Sequence, residues 1–191
     1  AWAHDPNARL PSVGFDNFAA MSKLARYIIN LGHKNIGIIS AKTKTNDRAR
    51  LRVDAVKHEM FKAGINPNEL KLVETDYGIE AGSIAFGEII ENTKTPTIVI
   101  CGNDVLAAGA IKKAKDLHIN IPTEVSITGF DDIEIAQIVK PELTTVHVPH
   151  RKMGRKAAQR LLSIVNGETT QHNTKLPISI KLRQTLTAPQ N

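Results

Sequence analysis

The feature that most constrains this chain is a regular alternation of short apolar runs with longer stretches of helical periodicity. Ile36-Gly37-Ile38-Ile39-Ser40 has no polar side until its end, the pattern of a strand covered on both faces. A polar loop follows, then a predicted helix over 47–63 with Leu51, Ala55, Val56, Met60 and Ala63 as its apolar stripe and Gly64 as its stop. Lys71-Leu72-Val73-Glu74 reads as a second strand, and 79–91 as a helix with Ile84, Ala85 and Ile89 facing inward. Residues 97–101 form a third strand. Asn103 or Asp104 caps the next helix, which runs through Ala107, Ala110, Ile111, Ala114 and Leu117. Ile121-Pro122 closes that unit, and 125–130 is the fourth strand. Such alternation predicts right-handed crossovers, a parallel sheet and an α/β fold. The units share no sequence repeat, which excludes a solenoid.

The flanks keep a different rhythm. Residues 143–148 are extended, 151–165 are helical with Asn166-Gly167 as the stop, and 175–182 predict one more strand. At the front, 12–15 is strand-like and 21–31 is a helix closed by Gly32. These pieces do not make a complete sheet by themselves and read as half of a larger unit.

Composition excludes several classes. With 191 residues, 41% of them hydrophobic and 23% charged, the chain suits a globular α/β protein. No run approaches the ~20 apolar residues of a membrane span. The net charge of +6 is spread over scattered Lys and Arg, with no basic arm, and reads as a solvated surface. The single Cys101 lies inside an apolar run, so no internal disulfide forms and a buried structural thiol is expected. The opening residues, including His4, show no pattern of a secretion signal.

Polar residues gather where the strands end, which is where open parallel sheets bind ligands. Asp16 and Asn17 follow the 12–15 strand, and Arg48, Arg50 and Arg52 follow the first long strand. Asp76 and Tyr77 follow the second, Asn103 and Asp104 the third, Asp131 and Asp132 the fourth. Carboxylates accept from neighbouring hydroxyls, Arg donates as a fork, and an aromatic ring covers a C–H face. Together they suit a polyhydroxylated ligand, although each residue alone reads equally as a helix cap, a solvated charge or edge packing.

Enzyme signatures are absent. There is no GxxxxGK[ST] loop, no GxGxxG after a strand, no GxSxG, and no metal spacing among the seven histidines, His172 included. Adjacent carboxylates on an extended segment point apart, so Asp131-Asp132 is not a metal pair. No catalysis, cofactor or metal is expected.

The runs "VGFDN" (13–17), "LGHKNIGIIS" (31–40), "RLRVDAV" (50–56), "CGNDVLAAGA" (101–110), "IPTEVSITGFDD" (121–132), "PELTTVHVP" (141–149) and "MGRKAAQRLL" (153–162) resemble, in order, the effector-binding core of the lactose/galactose-repressor (LacI/GalR) family. The resemblance implies a type I periplasmic-binding-protein-like fold of two subdomains joined by three crossovers. The N-terminal one would be incomplete here, comprising 1–33 and 147–175, and the C-terminal one would comprise 34–146 and 176–191. It implies a cytoplasmic transcriptional regulator, usually a repressor, with a sugar-like effector in the cleft. It also implies operator binding through a helix-turn-helix upstream of this fragment, and a homodimer. The alternative is a periplasmic sugar-binding protein of a transport system, which shares fold and cleft.

By the same resemblance the effector contacts are Asp16 or Asn17, Arg52, the stacking aromatic Tyr77, the amide Asn103, the carboxylate Asp131, and His150, where some members place an aromatic. Asp132 is expected to cap or to face solvent. Ile84, Ala107 and Ala108 are candidates for the dimer face. Asp54 departs from the family's usual Gly or Ala.

Overall fold

The computed structural model describes residues 11–91, 95–168 and 173–190; the opening residues with His4, and His172, lie outside them. The elements are β1 (Ser12–Gly14), α1 (Asn17–Asn30), β2 (Ile36–Ala41), α2 (Asp47–Lys62), β3 (Lys71–Thr75), α3 (Ile79–Ile90), β4 (Ile98–Cys101), α4 (Asp104–Asp116), β5 (Ser126–Asp131), the short α5 (Ile135–Ile138), β6 (Thr144–His147), α6 (His150–Val165), β7 (Asn173–Lys175) and β8 (Ser179–Lys181).

Six strands form one sheet in the order β3-β2-β4-β5-β6-β8, parallel except for β8, while β1 and β7 pair as a separate parallel sheet. From β2 the chain moves outward to β3, then crosses back to β4 on the other side. That reversal opens a crevice at the carboxyl ends of β2 and β4.

Alternation along the strands divides the core into two layers. Ile36, Ile38, Ile98, Ile100, Phe130 and Val146 pack with α1 and α2, through Met21, Leu24, Ile28, Val56 and Met60. Ile39, Val99, Cys101 and Ile127 pack with α3 and α4, through Phe86, Ile89, Leu106 and Ala110. Each fully buried Ile or Phe contributes on the order of 2–3 kcal/mol. Cys101 is a buried structural thiol, as its apolar run implied, and burial pushes it well above the usual thiol range.

The close approach of α3 and α4 depends on glycine. A Cβ on Gly82 would fall on the Leu106 backbone, and one on Gly109 on the Ile79 carbonyl. This explains a departure from the expected stripe on α3. Contact is made by Gly82, Ser83, Ala85, Phe86 and Ile89, so Ile84 points outward at 64% exposure. Ala107 and Ala108, by contrast, are covered within the chain.

Other departures have similar causes. On α2 the buried face runs through Ala49, Arg52, Val53, Ala55, Val56, Glu59 and Met60, while Leu51 is half-buried and Ala63 exposed. Asp54 lies on the exposed side of that helix, where a small residue is not required. Helix α1 begins four residues before the expected start, because the Asp16 side chain accepts from the Ala19 amide and caps it. It packs on α2. The single strand expected over 175–182 is two, since Leu176 turns into the core and the chain passes from one sheet to the other. The positive charge is also less scattered than expected: α6 carries Arg151, Lys152, Arg155, Lys156 and Arg160 with no acid.

Candidate functional site

The site is organised around Arg52, a cation only 8% exposed on the inner face of α2. A buried guanidinium requires partners for its donors. Nε and Nη2 donate to Asn17 Oδ1 at 3.0 and 2.8 Å, and Nη1 donates to the Gly102 carbonyl at 2.6 Å. The guanidinium carbon lies 3.7 Å from the centroid of the Phe130 ring, a cation–π contact. Phe15 packs beside that ring, with centroids 5.9 Å apart. Because Gly102 follows β4 and its amide donates to the Ile39 carbonyl, Arg52 sits at the crevice between β2 and β4.

Asp131 ends β5 facing this cation. Burial pushes its carboxyl above the ordinary range, and Arg52, His150 and Arg48 pull the other way. Burial likewise lowers Arg52, opposed first by Asp131. Asn17 is 2% exposed, and its Nδ2 is a buried donor with no partner among the described residues. Since Oδ1 is fixed towards Arg52, the orientation of the amide is determined. The cluster therefore combines one unsatisfied donor, Asn17 Nδ2, with a carboxylate, and it can receive a group that both accepts and donates, such as a hydroxyl.

The remaining expected residues are placed as follows. His150 opens α6 beside Asp131. Tyr77 is 52% exposed, its hydroxyl accepting from Asn46 Nδ2 at 3.2 Å, at a cleft of about 290 Å³ shared with Lys42 and Arg48. Asn103 uses its side-chain oxygen to cap α4, accepting from the Leu106 amide at 2.9 Å. Asp16 is committed twice, to the α1 cap and to Lys175 of β7 at 2.9 Å. Asn17, Arg52, Asp131 and His150 thus come together, while Tyr77 lines the separate cleft with Lys42 and Arg48.

The expectation for Asp132 is corrected. Its carboxylate neither caps a helix nor faces solvent: Oδ1 accepts from Arg183 at 2.6 Å and Oδ2 from His147 Nδ1 at 2.8 Å, with the side chain 8% exposed. Burial pushes this carboxyl up, but those two hydrogen bonds and charges outweigh burial and hold it below the usual range. A larger cleft of about 680 Å³ opens on that side, along Ile133, Ile135, Val148 and Pro149.

Sequence reading missed Phe130 as the platform for Arg52, Arg183 as the partner of Asp132, and the role of Asp104. Asp104 is fully buried, accepting from Thr145 Oγ1 at 2.5 Å and from the Ile133 amide at 2.8 Å. Burial raises its pKa to about 7. No local signal marks these pairings, since they join positions 29 to 78 residues apart.

Fold and site together define a class. Residues 25–186 match the model of the periplasmic binding protein-like domain, and the chain belongs to that family. More particularly, it is similar to HTH-type transcriptional repressors. CytR of Escherichia coli (strain K12) is 32% identical over 171 residues, 90% of this chain and 50% of that protein. PurR of Proteus mirabilis (strain HI4320) is 38% identical over 142 residues, 74% of this chain and 41% of that protein. The chain spans about half the length of the curated relatives it matches. Among solved structures, a LacI-family transcriptional regulator from Burkhoderia phymatum superposes with a TM-score of 0.84 at 26% identity, over 91% of this chain and 64% of that one. A LacI-family regulator from Enterococcus faecium with bound ribose shares the fold, with a TM-score of 0.87 at 24% identity over 93% and 66%. The expected kinship with LacI/GalR regulators holds.

Proposed function

We propose that this chain is the effector-binding part of a LacI-type DNA-binding transcriptional regulator, that its effector is a sugar-like polyol, and that the effector seats against Asn17, Arg52 and Asp131. The observation that carries the reading is the buried Arg52, held by Asn17 and Gly102 at the sheet crevice and facing an Asp131 carboxylate that accepts no side-chain hydrogen bond among the described residues. Arg52 and Asn17 donate to a ligand hydroxyl, Asp131 accepts from its neighbour, and His150 and Asn103 bound the pocket, with Tyr77 in the separate cleft.

Operator binding belongs to a segment beyond this chain, the regulator works in the cytoplasm, and pairing of two copies uses the outward Ile84. In such a device, effector binding favours one of two cleft geometries and thereby changes the presentation of the DNA-reading heads. The named relatives favour a regulator over a transport receptor.

Two measurements test this. Calorimetry with a panel of pentoses and hexoses, D-ribose included, should give saturable binding that Asp131→Ala and Arg52→Ala each weaken by ~1–3 kcal/mol. Unchanged affinity in both variants would remove the site. Reading the coding sequence ahead of Ala1 tests the regulator: a helix-turn-helix supports it, and a secretion signal replaces it with a transport receptor.

A further inference from the structure

Asp131 and Asp132 both lie in the left-handed region, with φ of 110° and 57°. A non-glycine residue there costs on the order of 1–3 kcal/mol and persists only where its surroundings enforce it. The Asp131 side chain does not enforce it, having no side-chain hydrogen bond among the described residues. The neighbouring carboxylate does. Asp132 is gripped by Arg183 and His147.

Arg183 is anchored independently: Nη1 donates to the Leu143 carbonyl at 2.8 Å, and its amide donates to Thr144 Oγ1 at 2.9 Å. His147 is fixed in β6, opposite Asp131 in β5 and Ser179 in β8. The Val148 amide also donates to the Asp131 carbonyl at 3.3 Å. One carboxylate therefore ties the ends of β5, β6 and β8. The Asp132 and Arg183 side chains are 8% and 15% exposed, so this is not a surface pair of negligible strength.

From this geometry we infer that Asp132, held by Arg183 and His147, is a positioning residue for the effector site, fixing the left-handed turn that directs the Asp131 carboxyl towards Arg52. The inference deepens the proposed function, since it assigns the control of that site's acceptor. Around Asp131 the charged and titratable groups are Arg52 and Arg48 from α2, His150 from α6, and Asp104 from α4. Adjacent carboxylates thus have divided tasks: one meets ligand, and the other holds the first in place.

The test reads Asp131 itself and needs no ligand. Carboxyl NMR titration of the 191-residue chain should find Asp131 above the ordinary carboxylate range in the wild type. In Asp132→Ala and Arg183→Met it should fall back to that range as the carboxyl swings into solvent. Asp132→Gly, which adopts a φ of 57° without steric cost, should retain part of the shift. If Asp132→Ala does not fold, Asp132→Gly and Arg183→Met carry the same comparison. An Asp131 titration unchanged in folded Arg183→Met or Asp132→Ala overturns the inference.

Calorimetry with D-ribose supplies the second reading. Loss of positioning raises Kd by about tenfold at unchanged stoichiometry per folded molecule, whereas simple loss of folded protein lowers stoichiometry and leaves Kd alone. Absence of ribose binding in every form counts against that sugar as effector, and the NMR result still decides the role of Asp132.

Discussion

Helices α1 and α6 are similar in length and amphipathicity, yet they end in opposite circumstances. On α1, Met21, Leu24, Ala25 and Ile28 are wholly buried against the six-stranded sheet. On α6 only Met153 is buried, while Leu161, Leu162 and Val165 are 63%, 63% and 75% exposed. The difference lies in what each helix has to lie upon. Among the described residues, six strands with helices on both faces close two apolar layers, whereas the 16-residue α6 has β1 and β7 beside it, three residues each. Periodicity makes a helix amphipathic; only a sheet of sufficient width makes it buried.

Five outcomes would break or sharpen this contrast. Phe86→Ala, in the larger unit, should cost about 3–5 kcal/mol in denaturant unfolding. A cost near zero would mean that the α3–α4 layer is not the stable part of the molecule.

Next comes pH. Asp104 has a folded pKa of about 7, raised by burial from an ordinary 3.8. Its contribution is therefore fully present below about pH 4 and declines as pH rises towards 7, because the unfolded chain loses that proton first. Relative to Asp104→Asn, the wild type should lose on the order of 4 kcal/mol across that window, the equivalent of about three pH units. Parallel stability curves would show that the carboxyl ionises freely in place.

Gly109→Ala should cost about 1–3 kcal/mol by forcing α4 away from the Ile79 carbonyl, measured as a drop in Tm. Asp16→Ala removes both the α1 cap and the tie to Lys175 of β7, and about 0.5–2 kcal/mol should follow, with faster amide exchange in β7. A change confined to the first turn of α1 would show that the Lys175 link holds nothing. The smallest effect belongs to Leu162→Ala, within about 0.5 kcal/mol because the residue is already exposed. A cost comparable to that of Phe86→Ala would erase the distinction between the two units.

Much of this was legible in the sequence. Ile36, Ile98 and Ile127 lie in short apolar runs between helical segments, and a parallel sheet follows from their order alone. Asn103 was readable as a cap, and Arg52 and Asp131 as polar groups at strand ends. What failed was direction. Ile84 fits an apolar stripe, but Gly82 and Gly109 set the α3–α4 contact and turn it outward. Residues 175–182 carry one strand's worth of pattern, but Leu176 breaks them between two sheets.

The sequence by itself determined the order of elements, the α/β class and the edge where polar groups gather, because periodicity and capping are local and each is expressed within a few residues. Tertiary structure alone decided which of those polar groups meet. Arg52 finds Asn17 and Gly102 across 35 and 50 positions, and Asp132 finds Arg183 across 51. Buried charge must be matched by whatever the fold brings within 3 Å, and no local pattern encodes that partner.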